Sequence, residues 1–131
     1  MPSRKEAVAP AVERILEAVE PAGLGPERRI DLAVALSEAL SNAAEHGHHL
    51  DASKNVLIAG CSRPGHGCAI DVCNAGPGFD SAAVGDCTHE ERLLSPRGRG
   101  IFMMRRLVDV LEYNATGTRV RLYVNAAPPR R

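Results

Sequence analysis

The run from Asp31 to Gly47, Asp-Leu-Ala-Val-Ala-Leu-Ser-Glu-Ala-Leu-Ser-Asn-Ala-Ala-Glu-His-Gly, constrains this chain more than any other segment. Leu32, Leu36, Ala39 and Ala43 recur at spacings of three and four, the apolar stripe of an amphipathic helix. Glu38 and Asn42 interrupt this aliphatic helix one turn apart, and positions four apart point the same way. A carboxylate and an amide therefore share a face beside the stripe. Such a pair suits Mg²⁺ bound to a nucleotide, because that ion prefers oxygen ligands and keeps most of its waters. The Glu is then free to orient or deprotonate a hydroxyl. Alone, the pair also fits an ordinary solvated helix face.

The rest of the chain divides into short elements. Lys5 to Val19 carries Ala7, Val8, Val12, Ile15, Leu16 and Val19 in helical spacing and stops at Pro21 and Gly23. The second helix is expected from Pro26, a residue suited to the first helical position, to His46, with Gly47 as its stop. Lys54–Cys61 and Cys68–Asn74 read as strands joined by a Pro-Gly turn. Residues 79–97 lack periodicity, and a loop of that length in a compact domain is a candidate lid over a ligand. A helix over 100–107 and a hairpin of 109–113 with 118–124 complete the domain, and the tail at 125–131 is expected to be disordered.

Two glycine segments lie where chemistry could use them. Gly76 and Gly78 follow a strand, where missing side chains permit tight turns and close approach to a flat ring; a plain turn is the alternative. Gly98 and Gly100 precede a helix, whose free N–H groups and positive dipole end can face phosphate oxygens. Arg97 and Arg99 add charge there, for phosphate or for solvent. Gly117-Thr118 opens the last strand.

These four pieces, in this order, resemble the ATP-binding fold shared by gyrase, heat-shock chaperones, histidine kinases and mismatch-repair ATPases. They are most similar to the stand-alone anti-sigma factor serine kinases. The resemblance covers about residues 27 to 124. It implies an α+β two-layer sandwich with a mixed, mostly antiparallel sheet, covered on one face by helices and carrying a flexible ATP lid. It also implies ATP and Mg²⁺ as cofactors, Glu38 as catalytic base or hydroxyl-orienting group, and Asn42 as the Mg²⁺ ligand. Asn74, Gly76, Gly78, Arg97, Gly98, Arg99, Gly100 and Thr118 are then the nucleotide cradle. The implied partners are an anti-sigma factor antagonist, phosphorylated on Ser or Thr, and a sigma factor held inactive, with a second copy of the chain as a further candidate.

Two departures stand out. Where the family has Asp to pair with the adenine amino group, this chain has Asn74, whose carbonyl still accepts but whose NH₂ donates. The family also commonly begins with strand-forming sequence, whereas here the first helix starts almost at once. Size argues within the superfamily: a γ-phosphate-sensing second domain and an upstream phosphoacceptor helix pair have no room, leaving one domain over 1–131. A non-catalytic module that uses nucleotide to fix its shape, and a switch kinase acting on a signalling scaffold, remain alternatives.

Composition excludes other classes. Sixteen Lys and Arg balance sixteen Asp and Glu, which argues against a large basic footprint for nucleic acid, although Arg97, Arg99, Arg105 and Arg106 are clustered. No apolar run approaches the roughly 20 residues that span a bilayer and no signal-peptide core begins the chain, so a cytoplasmic protein is expected. Cys61, Cys68, Cys73 and Cys87 form no Cys-x-x-Cys pair and read as reduced thiols rather than a zinc site. His46, His48 and His49 read as solvated residues beyond the helix, and the last two receive no role.

Overall fold

A computed structural model of the protein describes residues 1–76 and 96–126, with 96–98 as backbone alone. Gly78, Cys87, the candidate lid and the expected disordered tail beyond residue 126 lie outside the described residues, as does the side chain of Arg97.

Among the described residues, three α-helices and four strands are ordered α1 (Val8–Ala18), α2 (Pro26–Asn42), β1 (Leu57–Arg63), β2 (Gly67–Cys73), α3 (Pro96–Leu107), β3 (Val110–Tyr113) and β4 (Arg119–Asn125). The sheet order is β1-β2-β4-β3 and every pairing among the described residues is antiparallel, in keeping with the expected mostly antiparallel sheet. The register sets Ile70 opposite Leu122, Val72 opposite Val120 and Cys68 opposite Val124. These six side chains are buried together with Val12 and Ile15 of α1, Leu32, Leu36 and Leu40 of α2, and Ile101 and Met104 of α3. Alternation along a strand sends the neighbouring residues to the other face. There Asp71 and Arg121 meet in a two-pronged ion pair at 2.6 and 2.8 Å.

Helix α2 carries three fully buried leucines, each contributing roughly 1.5–3 kcal/mol by its burial. A second anchor is ionic. The buried Arg28 donates to Asp31 at 3.2 Å, to the Leu107 carbonyl at 3.3 Å and to Asp109, tying the start of α2 to the end of α3.

Two boundaries differ from those expected from sequence. The strand predicted from Lys54 starts at Leu57, because residues 54–56 are engaged by the N-terminus. Pro2 bridges Asn55, the Val56 N–H donates to the Met1 carbonyl at 2.7 Å, and the Ser3 N–H donates to the Lys54 carbonyl at 3.1 Å. The chain thus supplies a rudimentary strand before its first helix. Helix α3 begins at Pro96 rather than near Gly100. Pro fits the first helical position, and the packing of Ile101 and Met104 in the core outweighs the weak helix propensity of two glycines.

Candidate functional site

Helix α2 does not end cleanly after Asn42. It opens into a wide π-helical turn, Ala43–Gly47, in which the His48 N–H donates to the Ala43 carbonyl at 3.1 Å and the Leu50 N–H to the Ala44 carbonyl at 2.8 Å. His49 and Leu50 then take left-handed backbone angles, φ 51° and 58°, which non-glycine residues rarely adopt. Such turns gather at functional sites because they redirect the chain without breaking the helix. Here the turn brings Gly47 against the segment after β2.

That contact explains one glycine. A Cβ on Gly76 would stand 1.9 Å from the Gly47 carbonyl oxygen, so the turn Asn74–Gly76 lies directly on the backbone of the helix end. Asn74 Oδ1 accepts the Gly76 N–H at 2.9 Å, and the Asn74 N–H donates to the Thr118 carbonyl at 2.8 Å. Asn42, Asn74 and Thr118 line one narrow pocket with Ala39, Ala43, Val72, Tyr113, Gly117 and Val120. Its open space is about 20 Å³, the room of one water. The Thr118 hydroxyl is held by Asn114 Nδ2 at 3.0 Å and by Thr116 Oγ1 at 2.8 Å.

A second cleft, of about 470 Å³, opens on the other side of Asn42 and is lined by Glu38, Ser41, Glu45, His46, Arg99, Gly100 and Met103. Gly100 is buried, and a Cβ there would stand 2.6 Å from Glu38 Oε2 and 3.5 Å from Asn42 Nδ2. The first turns of α3 therefore lean on both polar side chains of α2. Because the helix starts at Pro96, its unpaired N–H groups belong to residues 97–99, before Gly100 rather than after it. Arg99 is exposed at the cleft. Asn42 Nδ2 is buried without a hydrogen-bond partner. An amide so placed can turn over at no hydrogen-bond cost and present its oxygen, the donor a hard cation prefers.

Asn42 is thus the wall common to a narrow apolar pocket and an open polar cleft. The sequence-predicted residues Glu38, Asn42, Arg99 and Gly100 come together on the cleft, and Asn42, Asn74 and Thr118 on the pocket, with Gly76 beside it. Asp71 stands apart on the opposite sheet face, its carboxyl held below the usual range chiefly by the hydrogen bonds from Arg121. Cys61 is exposed, and Cys68 faces the core, where burial pushes its thiol up to about 11. Burial likewise raises Cys73, and no cluster of three metal-ligating side chains exists among the described residues.

One residue was missed. His48 is 2% exposed, and its imidazole links the N-terminus to the Asn74–Gly76 turn. Nε2 accepts the Ala75 N–H at 2.8 Å, and Nδ1 lies 2.8 Å from Ser3 Oγ. These partners are 27 and 45 residues away in sequence, so no local pattern signals them.

Among the described residues no helix is long and apolar enough to cross a membrane. No curated protein matches the chain significantly. Among solved structures, the histidine kinase domain from the Erythrobacter litoralis EL346 blue-light activated histidine kinase is similar, with a TM-score of 0.56 over 91% of this chain at 19% identity. The chain covers 61% of that structure, and at this identity the likeness concerns the fold. Residues 1–124 match the family model described as a histidine kinase-like ATPase domain. A match of that extent, on a helix-backed antiparallel sheet, makes this chain a member of the histidine kinase-like ATPase domain family.

Proposed function

We propose that the protein is an ATP- and Mg²⁺-dependent serine/threonine protein kinase of the anti-sigma factor type. It phosphorylates an anti-sigma factor antagonist and holds a sigma factor inactive. Family membership supports nucleotide binding and kinase-like chemistry in general. The finer reading rests above all on the position of Asn42 between pocket and cleft, which lets one nucleotide lay its base among Ala39, Ala43, Val72 and Val120 and its phosphates beside Glu38, Arg99 and the start of α3.

In this reading Asn74 accepts a hydrogen bond from the base, and Thr118 fixes the strand end against which the base lies. Asn42 would hold Mg²⁺ through its amide oxygen, and that ion, when bound, supplies neutralisation of the phosphate charge. Arg99 contributes a further cation to the phosphates. Glu38, on a helix fixed by buried leucines, orients the acceptor hydroxyl and takes its proton as the hydroxyl oxygen attacks the γ-phosphorus. ADP is the leaving group.

Incubation with radiolabelled ATP and a candidate antagonist tests this. Label on a Ser or Thr of the antagonist supports the kinase; nucleotide binding without transfer to any candidate supports a second reading, a module that uses nucleotide only to fix its shape. One observation favours that alternative: Asn74 is neutral and already spends its carbonyl on the Gly76 N–H. A second copy of the chain is a further proposed partner. The outer edge of β1 is seven residues long with no proline, and a groove of about 590 Å³ runs between it and α1.

A further inference from the structure

His48 lies outside the nucleotide pocket, yet it touches the segment that forms one wall of it. A backbone N–H can only donate, so the contact from Ala75 fixes Nε2 as an acceptor carrying a lone pair. The proton of the neutral ring is then on Nδ1 and is donated to Ser3 Oγ at 2.8 Å, while the Ser3 hydroxyl donates to the Lys54 carbonyl at 2.8 Å. Every group in this chain has one role, and the chain works only with an uncharged imidazole. A proton on Nε2 would set two donors against each other at 2.8 Å in a buried place.

The far end of the chain is the nucleotide side. Ala75 sits between Asn74, bonded to the Thr118 backbone, and Gly76, seated on the Gly47 carbonyl. We propose that neutral His48 is a positioning residue for the base-binding turn, holding the Ala75 amide so that Asn74 keeps its place in the pocket wall, and that protonation of the ring releases the turn and weakens nucleotide binding. This rests on the nucleotide-binding reading above. The surroundings agree with it. Burial and the Lys54 ammonium push the imidazole below its ordinary range, and only the Asp51 carboxylate opposes them. From the N-terminal segment the facing group is the neutral Ser3, and from the turn after β2 it is the uncharged Asn74–Gly76 backbone.

Two substitutions separate the halves of the imidazole. His48→Gln places an amide oxygen near the Nε2 position and keeps an acceptor for Ala75 without a titrating proton; His48→Asn keeps a donor near Nδ1 and leaves the Ala75 N–H unpaired. ATP affinity is measured by calorimetry from pH 7.5 to 5.5 on the native chain and both variants. The native protein is expected to lose a few-fold more affinity than His48→Gln by pH 5.5, less than about tenfold because the imidazole titrates below its ordinary range. The titration of the γ-phosphate is common to both proteins and cancels. His48→Asn is expected to bind roughly tenfold more weakly at every pH. In nucleotide-free protein, hydrogen exchange at the Ala75 amide should be slow in the native chain and in His48→Gln at pH 7.5, and fast in His48→Asn. Equal exchange in all three, or the same affinity profile for the native chain and His48→Gln, overturns the proposal. Failure of the native chain to bind ATP at any pH overturns the kinase reading and this role with it, while the Ala75 exchange pattern still reports whether the imidazole holds the turn.

Discussion

At the scale of single residues the site makes separable demands on Glu38, Gly100 and Asn74. Glu38→Gln keeps the shape but cannot take a proton, so nucleotide affinity should stay within about twofold while phosphoryl transfer is lost. Parallel loss of both, in calorimetry and a transfer assay, would mark Glu38 as structural. Gly100→Ala should separate stability from activity. Alanine in a helix interior is favoured over glycine by up to about 1 kcal/mol, yet its Cβ would meet Glu38 Oε2 at 2.6 Å. That carboxylate ends a flexible side chain and can swing aside, so thermal stability is expected to hold or rise while transfer falls at least tenfold. Unchanged transfer would contradict the role proposed for Glu38 beside α3. Asn74→Asp restores the second acceptor and should raise the preference for ATP over GTP several-fold, because GTP carries a carbonyl where adenine has its amino group. An unchanged preference would mean that residue 74 does not read the base.

Among the elements, the clamp at Arg28 decides how α2 and α3 face each other across the cleft. Arg28→Ala leaves the part-buried Asp109 carboxylate without its cation, and breaking such a pair costs up to roughly 3–5 kcal/mol. Denaturant unfolding should show a loss of that order; a loss below about 1 kcal/mol would assign the alignment of the helices to apolar packing alone. This clamp was not legible in the sequence, since Arg28 reads as an ordinary helix charge and Asp109 lies 81 residues away. What was legible is local. The spacing of Leu32, Leu36 and Ala39 announced α2, and the alternation through Ile70 and Val72 announced β2. The boundaries that moved did so through contacts no local pattern records. Val56 is drawn from β1 by Met1, and α3 gains a turn because Pro96 can start a helix whose later residues are buried.

For the whole molecule, acid sensitivity follows from the interior histidine. Because the native pKa of His48 is lowered, the unfolded chain takes up a proton first as pH falls. Stability from the neutral ring is complete above the ordinary histidine value of about 6.5 and declines through the window below it, until the native ring is protonated too. His48→Gln should flatten the pH dependence of Tm in that window, and a native-like slope in the variant would contradict the assignment. The candidate site was legible as four short segments because glycines, an amide and a carboxylate at set places carry their chemistry locally. How they join was not, for it depends on the π-helical turn after Asn42 and on Gly47 meeting Gly76. That these segments build one nucleotide site is tested most directly by calorimetric titration of the native protein with ATP, with and without Mg²⁺. Saturable binding that strengthens with Mg²⁺ is predicted, whereas no binding heat at millimolar ATP under either condition, on folded protein at pH 7.5 and at more than one temperature, would contradict it.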